Sequence, residues 1–340
     1  MGEYAMLMLP SANRVYAEAS TRLTCAELEI FNQSVLGGRL TDIGAETIAG
    51  VEYITFGADK LSEQDVAYLS KAATAYALFA REDGLLRPIE LRRGDRFDDD
   101  LVTIQKYHGK TNEQFTKLLL NVTLLASDWA GEALTSKLRV LDPLCGRGTT
   151  LNQALIYGYH AAGVDLDARD FDAYVAFIQA YLKRKRIKHH TDLGPVRRNK
   201  RVVGRRLTVT LAPTKEEYRA GDTLTLDVVL ADTVRSGEFF KARSFHLVVA
   251  DAPYGVAHGS RTAVEGLRRS PLDLLTEAVP VWTELLKPGG AMGISWNTYV
   301  ARREDVVDRL TRSGLEVLDE GPYTEFRHRV DQAITRDIVV

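Results

Sequence analysis

Four carboxylates in the second half of the chain stand where apolar runs break off into turns: Asp142, Asp165, Asp232 and Asp251. The stretch Val140-Leu141-Asp142-Pro143-Leu144-Cys145-Gly146-Arg147-Gly148-Thr149-Thr150-Leu151 reads as a strand, a glycine-rich turn and the start of a helix. Gly146 and Gly148 allow a sharp turn and a close backbone approach to a ligand. Three ligand readings compete there. A Walker loop needs a lysine that this turn lacks, and a dinucleotide fingerprint needs a third glycine where Leu151 stands. The third ligand, S-adenosylmethionine, ends in a methionine ammonium, which an acid at the strand tip attracts, whereas the same acid would repel a pyrophosphate. Asp142 supplies that acid. Asp165 follows Gly148 by 17 residues, a separation at which a carboxylate can accept both hydroxyls of an adenosine ribose. Helix capping is the competing role, for which Asp167 is the better placed residue.

The D-P-x-C-G-x-G-T stretch resembles motif I of class I S-adenosylmethionine-dependent methyltransferases that act on exocyclic amines of nucleic-acid bases. Arg147 departs from the serine common between those glycines, and Cys145 is expected to pack as a small residue beside the ligand. Val248 to Gly255 carries Asp251-Ala252-Pro253-Tyr254 after an apolar run. This is similar to the (D/N)-P-P-(Y/F/W) tetrapeptide of those enzymes, with Ala252 in place of the first proline. The resemblance implies a role for each residue. An exocyclic amine is a poor nucleophile because its lone pair is drawn into the ring. The Asp251 carboxylate and the Ala252 carbonyl would accept its two N–H bonds, Tyr254 would stack on the base, and Pro253 would stiffen the loop. Asp232 would accept from the adenine amino group. Tyr107 to Asn112 falls where such enzymes cover the methionine end of the cofactor. Thr111 and Asn112 are therefore candidate cofactor contacts, although either would also cap the following helix. No metal is implied, and neither Cys25 nor Cys145 lies near the tetrapeptide, as a C5-pyrimidine mechanism would need.

Charge is unevenly placed. The 340 residues sum to a net charge of −2, yet residues 183 to 206 hold 11 Lys or Arg against the single acid Asp192. Such a stretch in a near-neutral chain suits phosphate contact, with Arg197, Arg198, Lys200 and Arg201 as the expected contacts. A solvated insertion is the plain alternative. The adjacent His189 and His190 do not have the spacing of zinc ligands. Asp98-Asp99-Asp100 reads as a solvated connection, and the sequon Asn121-Val122-Thr123 as coincidental within an apolar helix. Two cysteines in all exclude a disulfide framework and fit a reducing, cytoplasmic setting. No apolar run is long enough to span a membrane or to serve as a signal peptide.

Positioning these residues requires alternating strands and helices. Strands are expected at 138–141, 160–165, 226–232, 245–251, 290–296, 315–319 and 333–340. Helices are expected at 23–33, 113–127, 146–157, 170–186, 272–286 and 303–313. Repeated βα units argue for a doubly wound, Rossmann-like α/β domain with a mostly parallel sheet, whose ligands bind where strand order reverses. The organisation expected is a small α+β unit at 1–90 that resembles a THUMP or RNA-binding domain, then a linker and helix at 91–130. A catalytic domain at 131–340 follows, with a basic insertion at about 183–225. This order resembles THUMP-containing tRNA guanosine-N2 methyltransferases and their bacterial relatives. The resemblance implies a nucleic-acid partner, tRNA first, and guanine N2 as acceptor. DNA adenine-N6 or cytosine-N4, a small-molecule or protein amine, and a silent RNA-binding relative remain as alternatives.

Overall fold

The computed structural model describes residues 2–11, 13–252 and 271–340. The chain opens with β1 (Gly2–Met8), α1 (Arg14–Ser34), β2 (Thr41–Ile48), β3 (Val51–Ala58), α2 (Glu63–Leu69), β4 (Ala75–Glu82) and β5 (Leu85–Ile89). The five strands form an antiparallel sheet in the order β2-β3-β1-β4-β5. Next come α3 (Asp100–Thr103), α4 (Glu113–Leu125), β6 (Arg139–Asp142), α5 (Thr149–Ile156), β7 (His160–Asp165) and α6 (Ala168–Arg184). After them lie β8 (Lys188–Arg198), β9 (Arg201–Ala212), α7 (Lys215–Ala220), β10 (Leu224–Leu230) and β11 (Phe245–Asp251). The chain ends with α8 (Pro271–Leu285), β12 (Leu286–Asn297), α9 (Arg303–Arg312), β13 (His328–Arg329) and β14 (Thr335–Val339).

The second sheet has the order β13-β14-β12-β11-β6-β7-β10-β9-β8. Its central strands β12, β11, β6, β7 and β10 run parallel, and both flanks are antiparallel. The sheet is therefore mixed, with the parallel part in the middle where helices cover both faces. β11 shows why: six of its seven residues are buried, and a strand covered on both sides reads as a continuous apolar run. Winding proceeds from β6 through β7 to β10, then returns past β6 to β11. Strand order thus reverses between β6 and β11, and a crevice opens there at the strand C-termini. Gly293 of β12 lets α4 lie close to the sheet, since a Cβ there would meet Thr123 Oγ1 at 1.8 Å.

Four sequence expectations change. The first long helix starts at Arg14, not Leu23, because Asn13 accepts from the Val15 and Tyr16 amides at 3.0 and 3.2 Å and caps a polar first half. Residues 315–319 form no strand; Leu318 N–H makes a single bond to the Val340 carbonyl, 2.9 Å. The basic stretch is no loose insertion, since β8 and β9 form a hairpin that extends the sheet beyond β10. The acidic run is also partly employed: Asp100 accepts from Tyr181 Oη at 2.6 Å and pairs with Lys185, which also meets Asp98 at 2.9 Å.

α1 packs against α4 across a buried polar network. Glu27 accepts from the Ala73 amide at 2.9 Å and from Asn121 Nδ2 at 2.6 Å, and Tyr157 Oη donates to Asn121 Oδ1 at 2.8 Å. Asn121 is fully committed inside the protein, so the sequon is not an accessible glycan acceptor. Among the described residues no helix is long and apolar enough to cross a membrane.

Candidate active site

Asp142 and Asp251 end neighbouring parallel strands, β6 and β11, on either side of the reversal. Both line one cavity of about 640 Å³. Its other walls are the segment Tyr107, His108, Gly109 and Thr111, the first turns of α4 (Phe115, Thr116, Leu119), the glycine turn (Leu144 to Arg147, Thr149, Thr150), and Asp167, Arg169 and Asp170 at the start of α6.

The glycine turn is built by sterics. Gly148 has φ +77°, and a Cβ on it would lie 2.3 Å from the Tyr174 ring. Two constraints therefore coincide at this position, a left-handed backbone and a closely packed ring. Gly148 is also the N-cap of α5 and brings no side-chain cap, which leaves the first amides of that helix for a ligand. Substituting Gly148→Ala is expected to cost about 2–5 kcal/mol from the left-handed strain and overpacking together, and to weaken cofactor binding with it. Denaturant melts and a cofactor titration on the same sample check this; an unchanged midpoint contradicts it.

Asp142 is buried, accepts the Leu144 amide at 3.0 Å, and is hydrogen-bonded by the Thr150 side chain. Burial pushes its carboxyl up to about 7, and the like charges of Asp251 and Asp165 push the same way. A ligand cation beside such a group would favour its ionised form and bring its pKa down again. Cys145 is buried in the turn, and Thr149 accepts or donates to Tyr107 Oη at 3.3 Å. Arg147 now has a place: its Nε donates to Asp170 Oδ1 at 2.8 Å while the guanidinium lies 4.6 Å from the Tyr107 ring centre. It ties the glycine turn to α6 and to the 107–111 segment that walls the cavity.

Asp251 is held from two directions. Thr111 Oγ1 donates to its Oδ2 at 2.7 Å and Ser295 Oγ to its Oδ1 at 2.8 Å. The Ala252 amide donates to the Ser295 carbonyl at 2.8 Å, which locks the start of the tetrapeptide onto β12. Pro253 and Tyr254 lie outside the described residues. Ser295 and Arg336, whose Nη2 is 3.8 Å from Asp251 Oδ2, were not singled out from the sequence. The signal available was a serine inside the apolar run Ile294-Ser295-Trp296, and an arginine within the last apolar strand.

Other candidates take other roles. Thr111 lines the cavity, but its hydroxyl is directed at Asp251. Asn112 does not line it and is the N-cap of α4, accepting the Phe115 amide at 3.1 Å. Pro143 sits buried in the turn, off the cavity wall. Asp165 is also off the wall; it accepts the Gly146 amide at 2.7 Å and the Asp167 amide at 2.8 Å, so it braces the glycine turn, and burial raises its carboxyl to about 6. Asp167, as expected, caps α6 through the Arg169 amide at 2.7 Å. Asp232 accepts the Val234 amide at 3.2 Å at the head of a short 3-10 turn and is likewise not part of this cavity.

The cavity fits S-adenosylmethionine at its methionine end: a buried acid for the ammonium, uncapped helix amides, and walls from the 107–111 segment, the glycine turn and the starts of α4 and α6. The family model matched by the sequence agrees with that fit. Residues 126–288 match the family model described as "UPF0020: RMKL-like, methyltransferase domain". Similar solved structures include a TehB-like SAM-dependent methyltransferase from Corynebacterium glutamicum, 15% identical, covering 60% of this chain and 79% of that one at TM-score 0.33. TrmN from Thermus thermophilus is 13% identical over 100% of this chain and 98% of its own, TM-score 0.36. A geranyl diphosphate methyltransferase in complex with GPP and sinefungin is 13% identical over 55% and 59%, TM-score 0.29. No curated protein matches the sequence. Residues 126–288 are thus similar to that methyltransferase domain, and the protein is a methyltransferase whose cofactor is S-adenosylmethionine.

Proposed function

We propose that this enzyme methylates an exocyclic amine of a nucleic-acid base, with guanine N2 in tRNA as the first acceptor to test. The observation that carries the reading is that Asp251 and Asp142 share one cavity at the reversal point of the sheet. Bound S-adenosylmethionine supplies an electrophilic methyl group. The protein's own part is then to present an NH2 group and to keep water away. Asp251 is braced by two hydroxyls, and its carboxylate is the side-chain acceptor this reading assigns to an N–H of the amine. The Ala252 carbonyl offers the second acceptor, and Tyr254 the stacking face. For a guanine, this requires the base to leave its stack.

The hairpin β8–β9 supports a polyanionic acceptor. Arg205 of β9 pairs with Leu230, the last residue of β10, and β9 runs antiparallel to it. Residues 201 to 204 therefore project past the strand C-termini, roughly 13 Å beyond the edge at which Asp142 and Asp251 lie. Among the described residues, Arg197, Lys200 and Arg201 at this tip are exposed and make no ion pair. Arg198 is engaged with Glu238 and contributes less. Replacing Arg197, Lys200 and Arg201 by alanine is expected to lower the slope of log affinity against log salt by about 2 to 3. Fluorescence anisotropy across a salt series with tRNA measures it, and an unchanged slope returns the hairpin to a purely structural role.

Transfer of tritiated methyl groups to total tRNA, ribosomal RNA and DNA, followed by nucleoside analysis, tests the function. N2-methylguanosine from tRNA supports it. N6-methyladenine or N4-methylcytosine from DNA moves the acceptor to the other bases, and label on no nucleic acid overturns it.

A further inference from the structure

We infer that Tyr299 is a stacking platform for an unpaired base beside the acceptor, which makes single-stranded or looped nucleic acid, and not the interior of a duplex, the substrate class. The inference deepens the proposed function and rests on it for the nucleic-acid acceptor. Tyr299 follows β12, the strand next to the one that ends in Asp251. Asp251 and Ser295 are partners in the β11–β12 ladder, and Tyr299 stands four residues beyond Ser295. Its Cα therefore lies at most about 20 Å from that of Asp251, beyond the same strand C-termini. From Ala291 to Ala301 every residue is described and only Tyr299 is exposed, at 68%. A ring this exposed adds little to the core. The backbone beneath it is nonetheless fixed. Thr298 N–H donates to the Thr335 carbonyl at 2.7 Å, Tyr299 N–H to Asn297 Oδ1 at 3.2 Å and Val300 N–H to the Asn297 carbonyl at 2.9 Å. On either side, Asn297 Nδ2 donates to the Ala333 carbonyl at 3.1 Å and Trp296 Nε1 to the Ala301 carbonyl at 2.9 Å. The loop is pinned to the chain entering β14 and back onto β12.

A rigid base and a side chain with two torsions keep the entropy lost on contact small. The surroundings favour a nucleobase over a protein surface. A protein contact calls for a contiguous apolar patch. Here the nearest exposed residues along the chain are Arg302 and Glu304, and those of the β13–β14 turn are Asp331, Gln332 and the small Ala333. The ring thus stands singly in a polar surface. One π-face is enough for a base, because stacking accepts any base and needs no patch. In the proposed reaction the acceptor base goes to Tyr254, so Tyr299 takes a neighbour. Inside a duplex both faces of that neighbour are already stacked, so it must be unpaired. The tip of the β8–β9 hairpin stands on the other side of the cavity, since β9 is five strands along the sheet from β12, or roughly 24 Å. The acceptor is held by its phosphates on one side of the cavity and by a base on the other.

Fluorescence of 2-aminopurine in a single-stranded RNA gives the test. The probe is a run of cytidines with one central guanosine and 2-aminopurine on its 5′ or its 3′ side. Binding of the full-length wild-type protein is expected to quench the fluorophore in one of the two probes. Tyr299→Ala is expected to lose that quenching and to bind about 5- to 100-fold more weakly. Its slope of log affinity against log salt is expected to stay as in wild type, because no phosphate contact is removed. Tyr299→Phe keeps the π-face and is expected to match wild type. An abasic site in place of 2-aminopurine is expected to weaken wild type by the same factor and to leave Tyr299→Ala unmoved. Equal affinities for wild type and Tyr299→Ala, or a loss that comes with a changed salt slope, overturn the inference and leave the proposed function standing. A wild-type protein that binds neither probe overturns the inference together with the nucleic-acid acceptor.

Discussion

In Asp251→Ala, methyl transfer is expected to fall by about 10³-fold or more while S-adenosylmethionine still binds. In the proposed reaction the carboxylate is the side-chain acceptor for the amine, and alanine would leave only the Ala252 carbonyl in that role. The structure says why binding should survive. The cofactor end of the cavity is built from Asp142, the glycine turn and the N-terminus of α5, none of which depends on Asp251 for its shape. A small opposite effect is expected as well. Asp251 acts on Asp142 as a like charge, so its removal makes Asp142 easier to ionise and should tighten cofactor binding slightly below neutral pH. Calorimetry and single-turnover transfer on one preparation measure both. Equal losses in binding and in rate would place Asp251 with the cofactor and remove its role at the acceptor.

Cofactor binding should itself depend on pH through Asp142. In the free protein its carboxyl titrates at about 7, raised by burial. A ligand ammonium requires the carboxylate, so binding below neutrality must release a proton. Affinity should therefore rise by up to about tenfold per pH unit from acid pH toward 7 and then level off. Folding stability runs the other way. An unfolded aspartate ionises near 4, so in the ligand-free protein the folded state holds the extra proton between about 4 and 7. Asp142 thus lowers stability progressively as pH rises through that window, and its full cost is present above it. Asp142→Asn is expected to weaken the cofactor about 10- to 100-fold at pH 8 and to flatten the pH dependence of binding. The ligand-free variant should also be more stable at pH 8 by on the order of 2–4 kcal/mol, with the gain gone near pH 4. Calorimetry in buffers of different ionisation heat counts the proton, and melts at both pH values read the stability. Pairing of a pH-independent affinity with an unchanged melt would mean that Asp142 is ionised throughout.

The site was legible in the sequence wherever function constrains consecutive residues. A strand, a pair of glycines and an acid within ten residues mark the turn proposed to hold the cofactor, and the Asp-Ala-Pro-Tyr stretch is the proposed acceptor segment; both are local patterns. Capping signals were equally local, although Asn112 could be read either as a cap or as a cofactor contact until its oxygen was seen on the Phe115 amide. Asp165 was ambiguous for the same reason. A carboxylate after a strand can serve a ribose or a backbone amide, and only its place beside Gly146 shows the second use. The hairpin β8–β9 hid behind its charge. Alternation of apolar and polar residues is weak in a strand pair at a sheet edge, and the run of arginines reads as solvated until antiparallel pairing with β10 is visible.

Amino-acid order by itself determined the α/β class, the cofactor turn, and the two acids that belong at strand tips, because backbone conformation and short-range polarity are written in neighbouring residues. Tertiary structure alone decided that Asp142 and Asp251, 109 positions apart, share one cavity. It alone brought Thr111, Ser295 and Arg336 onto one carboxylate, and set Arg147 between Asp170 and Tyr107. The physical reason is the crossover winding of the sheet: side chains far apart along the chain become neighbours only once parallel strands are ordered, and no local pattern carries that order.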